Sequence, residues 1–178
     1  MPEEYVILVN EEDREIGQLE KLEAHRLGLL HRAFSILLFN EKGELLIQQR
    51  AAHKYHSPLL WANTCCSHPR PEEPLLEAAT RRLYEEMGMT AKMQTGFHFI
   101  YRARLDQGLI EHELDHVIFA YSNQEPKINT NEVESYKWIS LPDLLKDIED
   151  YPHAHSAWFK IIMHDYLEFI SKAAYESV

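Results

Sequence analysis

The sequence predicts one α/β (α+β) domain, residues 1–178, in which strands and helices pack in layers around a single core. Of the 178 residues, 45% are apolar, which suffices to close one good core. Short apolar runs typical of strands are followed by segments with helical periodicity. No internal repeat or low-complexity linker divides the chain.

The first third of the chain is predicted to consist mostly of strands. Tyr5 to Val9 is a short apolar run. Ala33 to Phe39 and Leu45 to Gln49 flank the polar residues Asn40-Glu41-Lys42-Gly43, whose glycine suits a hairpin turn. A polar segment lies around residues 10–31, and His25 and His31 are expected in irregular stretches of it.

A helix is predicted over roughly residues 74–87. Apolar side chains recur every fourth position from Leu75 to Met87, which is the spacing of one helix face. Pro74 stands near the start and Gly88 just past the end, as is typical of helix termini.

The rest of the chain predicts three more strands and two closing helices. Two strands, Phe97 to Leu105 and Leu109 to Tyr121, flank a turn at Asp106-Gln107-Gly108. The final strand and the two helices are predicted at Tyr136 to Ile139, Leu141 to Glu149 and Ala157 to Tyr175. The apolar stripe of the last helix indicates core packing rather than ligand binding.

The charge balance limits the partners. A net charge of −11, with 29 acidic and 18 basic residues, argues against binding to nucleic acid or to an anionic membrane surface. Any phosphate-bearing partner must therefore meet a local basic pocket. Met1-Pro2-Glu3-Glu4 lacks the features of a secretory leader, and no run approaches the roughly 18 apolar residues of a membrane span. We expect a cytoplasmic protein, in which the adjacent Cys65 and Cys66 are chemical rather than structural.

Glu111 and Glu113 are candidate metal ligands. Side chains alternate along a strand, so both point to one face with a repeat of about 6 to 7 Å. Two carboxylates this close repel each other unless a cation or proton lies between them. The alternative is a solvent-facing strand that carries Glu111, Glu113 and Asp115.

Histidines could complete such a site. His25, His31 and His68 lie before or between predicted strands, and imidazole with carboxylate suits Mn, Zn or Mg to differing degrees. A single histidine is more often a surface residue than a ligand, and this is the interpretation for His53, His56, His112 and His164.

Ser67 to Glu73, followed after seven residues by Arg81 to Met89, resembles the Nudix box, a loop–helix–loop that holds Mg²⁺ against a diphosphate. The alternative for Glu85 and Glu86 is a solvated helix face. Arg82 stands where hydrolytic members carry the first glutamate of their Arg-Glu-x-x-Glu-Glu core, and Ser67 replaces the opening glycine. The resemblance therefore implies diphosphate binding through the Arg82 fork rather than cleavage.

Trp61 to Pro69 resembles the active-site segment of type I isopentenyl diphosphate isomerases, as do Tyr101-Arg102-Ala103 and Glu111-His112-Glu113. The similarity covers nearly the whole chain, with further matches at Leu19-Glu20-Lys21, Ala24-His25, Gln49-Arg50-Ala51, Lys54 and His155-Ser156-Ala157-Trp158. It implies a Nudix-like mixed β-sheet sandwiched between helices. It also implies conversion of isopentenyl diphosphate to dimethylallyl diphosphate in isoprenoid biosynthesis.

The resemblance implies two metal positions and a binding site for the prenyl diphosphate. A divalent ion, Mn²⁺ or Zn²⁺ with Mg²⁺ as the alternative, would occupy a site formed by His25, His31, His68, Glu111 and Glu113. Mg²⁺ bound to the diphosphate would be held through Glu86. The residues expected around the diphosphate are Lys21, Arg50, Lys54 and Arg82. We expect a monomer or a weak dimer.

The isomerisation needs an acid and a base beside the substrate, because one carbon gains a proton and another loses one. The resemblance implies Cys66 on one face and Glu113 with Tyr101 on the other, and which of them protonates stays open. Trp158 is the candidate for facing a cationic intermediate and Trp61 the second, with core packing as the alternative for both. The competing functions are a Nudix hydrolase and a non-catalytic binder of a metal or prenyl diphosphate.

Overall fold

A computed structural model describes residues 4–177, so Met1, Pro2, Glu3 and Val178 of the predicted domain lie outside the described residues. The strands are β1 (Tyr5–Val9), β2 (Glu15–Glu20), β3 (His31–Phe39), β4 (Leu45–Arg50), β5 (Trp61–Ala62), β6 (Cys65–Ser67), β7 (Lys92–Arg104), β8 (Ile110–Tyr121) and β9 (Val133–Ile139). The α-helices are α1 (Lys21–Leu27), α2 (Leu75–Met87), α3 (Leu141–Asp150), α4 (Ala157–Asp165) and α5 (Leu167–Glu176). Short 3₁₀ turns lie at Asp106–Gly108 and Pro152–Ala154.

The strands form one mixed sheet with β3 at its centre. β3 pairs in parallel with β8, from His31 opposite Glu113 to Phe39 opposite Tyr121. It pairs antiparallel with β1, β4 and β6, and β7 pairs antiparallel with β8. The expected mixed sheet between helices is confirmed.

Each face of β3 enters a different core, because its side chains alternate. Ile36 and Leu38 are fully buried in the cluster that contains the apolar side of α2. Leu37 and Phe39 are fully buried in the cluster that contains α4 and α5. A continuous apolar strand is what burial on both faces requires.

Helix α2 matches its prediction closely. It ends at Gly88, which has φ of 61° and donates its backbone N–H to the carbonyl of Tyr84. A Cβ at Gly88 would lie 2.5 Å from the carbonyl oxygen of Lys127. Both the left-handed backbone and the close approach require glycine here.

Residues 10–31 contain regular structure, and the expectation of irregular stretches at His25 and His31 is wrong. They contain β2, which forms a hairpin with β1, and α1. The carboxylate of Glu20 caps α1 by accepting the backbone N–H groups of Leu22 and Glu23. Most residues of β2 are exposed or half-buried and α1 has only seven residues, so neither produces a periodic apolar signal.

The single predicted helix from Ala157 to Tyr175 is also wrong. Tyr166, with φ of −124° and ψ of 21°, separates α4 from α5. Its ring stacks on Phe97 at a centroid distance of 4.5 Å, so a tertiary contact accompanies the break. Among residues 4–177, no helix has both the length and the apolar character that crossing a membrane demands.

Candidate active site

Ten of the predicted site residues line one pocket of about 590 Å³. These are Lys21, Arg50, Lys54, Cys66, His68, Arg82, Tyr101, Glu111, Glu113 and Trp158. His25, His31 and Glu86 are buried beside it. The fold therefore gathers residues from α1, from β4 and the segment that follows it, and from β6, α2, β7, β8 and α4.

The His/Glu cluster forms where β3 and β8 run in parallel. His31 begins β3 and lies opposite Glu113, while α1 contributes His25 and the end of β6 is followed by His68. One potential ligand atom from each of His25, His31, His68 and Glu113 lies within 4.8 Å of all the others. Nε2 of His25 is 3.7 Å from Oε1 of Glu111.

The paired glutamates face the interior. Glu111, Glu113 and Asp115 are 3%, 5% and 1% exposed, so the alternative of a solvent-facing strand is wrong. Burial and the adjacent charge of Glu111 raise the pKa of Glu113 well above its usual range. Burial also tends to raise the pKa of Glu111, but the adjacent Glu113 and His25 side chains lower it below its usual range. Without a cation, the pair therefore shares a proton.

The histidine tautomers suit metal binding. Nδ1 of His25 donates to the carbonyl of Lys21 at 2.7 Å, and Nδ1 of His31 donates to that of Leu29 at 2.9 Å. Each Nε2 then presents its lone pair. Burial lowers the pKa of His31 to about 4, so this ring is neutral at neutral pH.

Four buried atoms at this point have no hydrogen-bond partner among residues 4–177: Nε2 of His25, His31 and His68, and Oε2 of Glu111. Buried polar atoms in folded proteins normally have a partner. Three imidazole nitrogens and a carboxylate oxygen are ligands that a divalent transition metal accepts. The residues present therefore fit a metal ion.

Cys66 lies on the same pocket with its thiol held on two sides. The thiol donates to Oδ1 of Asn63 at 2.9 Å, and the indole Nε1 of Trp158 donates to the sulfur at 3.0 Å. Burial raises the pKa of Cys66 to about 12, so the thiol is protonated at neutral pH. Cys65 points to the other face of β6 and is fully buried in the α2 cluster, so its surroundings are those of a packing residue rather than of the chemical one expected.

Tyr101 reaches the carboxylate side of the pocket. Its hydroxyl donates to Oε1 of Glu113 at 3.0 Å, and burial raises the pKa of Tyr101 well above its usual range. The phenol is therefore a proton donor to Glu113 at neutral pH.

The cations at the pocket are each held by a neighbour. Lys21 pairs with Glu4, and Lys54 pairs with Glu132. Arg50 donates to the carbonyls of His56 and Ser57, both at 3.1 Å. Its guanidinium lies 5.3 Å from the ring centroid of Trp158. The structure therefore brings the four predicted cations to one pocket, and their role in binding a phosphate ligand stays a prediction.

Glu86 differs from the other predicted residues in its surroundings. It is 4% exposed, and Oε1 accepts a hydrogen bond from Arg82 at 2.6 Å. Oε2 accepts one from Gln48 at 2.9 Å. The Glu86 carboxylate therefore holds the Arg82 guanidinium in position. The role of Glu86 as a Mg²⁺ ligand stays a prediction.

Sequence reasoning missed His56 and Asp115. His56, expected on the surface, is 4% exposed and lines the pocket, whereas His53 and His164 are exposed as expected. Asp115 accepts a hydrogen bond from Ser35 at 2.7 Å and faces the pocket. The strand alternation that predicted Glu111 and Glu113 extends to Asp115 and could have identified it.

The two tryptophans have different environments. Trp158 lines the pocket and packs in the α4 core, whereas Trp61 is half-buried with Nζ of Lys137 4.6 Å from its ring centroid. The geometry favours Trp158 for contact with a ligand.

A family model described as NUDIX domain matches residues 29–159. An isopentenyl-diphosphate Delta-isomerase 1 of Aromatoleum aromaticum is 51% identical over 158 residues, which are 89% of this chain and 89% of that protein. An isopentenyl-diphosphate Delta-isomerase of Pectobacterium atrosepticum is 49% identical over 90% of each chain. A crystal structure of a Deinococcus radiodurans protein is similar in fold, with a TM-score of 0.74 and 21% identity over 96% of this chain and 99% of that one.

Proposed function

The chain belongs to the NUDIX domain family and, within it, to the isopentenyl-diphosphate Delta-isomerases, and we therefore propose that it converts isopentenyl diphosphate to dimethylallyl diphosphate for isoprenoid biosynthesis. The observation that supports this most directly is the pairing of two proton-bearing groups on one buried pocket. These groups are the thiol of Cys66 and the Tyr101–Glu113 pair.

The reaction moves a double bond without net loss of atoms. The terminal alkene carbon gains a proton, which leaves cationic character on the tertiary carbon. The carbon next to the diphosphate-bearing methylene group then loses a proton, and its C–H electrons form the new double bond. A donor and an acceptor of protons must therefore both reach the substrate.

Cys66 and Glu113 can fill these two roles. Cys66 is protonated, and hydrogen bonds from Trp158 and to Asn63 fix its sulfur in position. Glu113 holds or releases a proton while the Tyr101 hydroxyl stays bonded to it. A bound divalent cation would supply the positive charge that lets Glu111 and Glu113 lie together in ionised form. We leave open which group protonates in each direction.

Trp158 is proposed to face the cationic intermediate. A tryptophan face attracts a desolvated cation by roughly 0.5 to 2 kcal/mol. Lys21, Arg50, Lys54 and Arg82 are proposed to bind the diphosphate, because all four line the pocket. Arg82 offers paired donors to phosphate oxygens and no carboxylate to activate water, which argues against hydrolysis.

The remaining proposals concern ions, assembly and location. We propose Mn²⁺ or Zn²⁺ in the site of His25, His31, His68, Glu111 and Glu113, with Mg²⁺ as the alternative, and Mg²⁺ with the diphosphate near Glu86. We further propose that residues 1–178 act as one cytoplasmic domain, as a monomer or weak dimer, without nucleic-acid or membrane partners.

Proton NMR of isopentenyl diphosphate incubated with the protein, Mg²⁺ and Mn²⁺ in D₂O tests the function. We expect deuterium-bearing dimethylallyl diphosphate from the wild type and from Cys65→Ala, the matched control, but none from Cys66→Ser. Intact substrate without exchange in any metal would contradict the proposal. Phosphate release from nucleoside diphosphates, abolished by Glu86→Gln, would instead indicate a hydrolase.

A further inference from the structure

His56 lies beside His25 of the His/Glu cluster, although the sequence analysis placed it on the surface. It follows Lys54 and Tyr55 in the segment between β4 and β5 and is almost fully buried. Its ring is nearly parallel to that of His25, with an interplanar angle of 27° and a centroid distance of 5.8 Å. The segment therefore brings a fourth imidazole to the wall of the pocket.

The distances place His56 within reach of an ion held by His25 and Glu111. One potential ligand atom from each of His25, His56 and Glu111 lies within 4.8 Å of the other two. Two nitrogens on opposite sides of a metal ion are about 4.2 Å apart, because each metal–nitrogen bond is about 2.1 Å. The ligand atoms, which lie up to 4.8 Å apart, therefore need only a small side-chain movement to coordinate one ion.

Glu111 is an independent indication of a ligand at this point. The residue is 3% exposed, and Oε2 has no hydrogen-bond partner within residues 4–177. Oε1 lies 3.7 Å from Nε2 of His25, beyond hydrogen-bonding distance. A carboxylate in this state is incomplete without a cation.

The immediate neighbours of His56 allow it to offer a nitrogen lone pair. Nδ1 lies 3.2 Å from Oγ of Ser57, which can accept its hydrogen as well as donate one. When Nδ1 donates, Nε2 is unprotonated, as in His25 and His31. The backbone carbonyls of both His56 and Ser57 accept from the guanidinium of Arg50, so the segment is held in place.

We propose that His56 is an additional ligand of the divalent metal, which it binds beside His25 and Glu111 on the side that faces the pocket. This inference rests on the metal site of the proposed function. A fourth imidazole shifts the preference of the site from Mg²⁺, which favours oxygen ligands, toward Mn²⁺, Co²⁺ or Zn²⁺.

Titration of metal-free protein with Co²⁺, followed by its visible absorption, tests the assignment without any need for activity. We expect His56→Ala to bind Co²⁺ about 10- to 100-fold more weakly and with shifted absorption bands, since loss of a group that supports a metal site has effects of at least this order. His56→Gln, which preserves more volume, should show the same loss and replaces the alanine variant if that one does not fold by circular dichroism.

Two further variants separate the possible failures. His53→Ala, an exposed histidine of the same segment, should bind Co²⁺ like the wild type. His31→Ala should lose binding, because His31 belongs to the underlying cluster. If folded His56 variants keep the wild-type affinity and spectrum while His31→Ala loses binding, the role of His56 is overturned and the metal site is not. Unchanged binding in His31→Ala would overturn the proposed metal site itself.

Discussion

Replacing Tyr101 with phenylalanine should slow the isomerisation without weakening substrate binding. The substitution removes the hydroxyl that donates to Oε1 of Glu113 at 3.0 Å but keeps the ring, which stacks with Phe99 at 5.6 Å. Glu113 changes its charge when it gives or takes a proton, so the hydrogen bond is stronger in one state than in the other. A hydrogen bond to a charged group contributes about 1.5 to 3 kcal/mol, so kcat should fall about 10- to 150-fold.

Steady-state kinetics with isopentenyl diphosphate measures this effect. KM should change little, because the predicted diphosphate ligands, such as Arg50 and Arg82, are untouched. Tyr166→Phe, which alters a phenol on α4–α5 rather than in the pocket, should keep the wild-type kcat. A wild-type kcat in folded Tyr101→Phe would refute the assignment of Tyr101 to the proton-transfer machinery.

Three further outcomes follow from the structure. Gly88→Ala should lower the free energy of unfolding in urea by more than Gly108→Ala, because both have positive φ but only Gly88 has a carbonyl oxygen 2.5 Å from the new Cβ; equal losses would contradict this. The free energy of unfolding of the metal-free protein should fall by about 2 kcal/mol between pH 7 and pH 5 because of His31 alone. The pKa of this ring is about 6.5 in the unfolded chain and about 4 in the folded one, so the unfolded chain takes up the proton first. Urea unfolding in the presence of a chelator shows whether the free energy of unfolding falls in this direction. Alkylation of Cys66 by iodoacetamide, measured against Cys66→Ser, should keep accelerating up to pH 10, since burial raises the pKa of its thiol to about 12; a plateau near pH 8.5 would contradict that environment.

Local patterns were sufficient for helix α2 and for the paired carboxylates. Helix α2 has regular apolar spacing and a terminal glycine, and its bounds match the expectation. Glu111 and Glu113 share a face because strand alternation requires it, whatever the rest of the fold does.

The features that were missed depend on contacts between distant residues. The path of the segment that carries His56 depends on Arg50, which binds two of its carbonyls, and on positive φ at Ser57 and Leu59. Serine and leucine are not residue types that predict positive φ from a sequence. The break at Tyr166 likewise accompanies packing against Phe97, far away in the chain.

The parallel pairing of β3 with β8 has a consequence for how the protein folds. Residues such as Ser35 and Asp115, which meet across these strands, are 80 positions apart in sequence. Closing so long a loop is entropically costly, and contacts of this kind form slowly. Because His31 and Glu113 come together only through this pairing, the proposed metal site cannot be complete until the central sheet is built. Tight metal uptake at the proposed site would therefore report that folding is finished, and an ion bound there would stabilise the folded chain over its precursors.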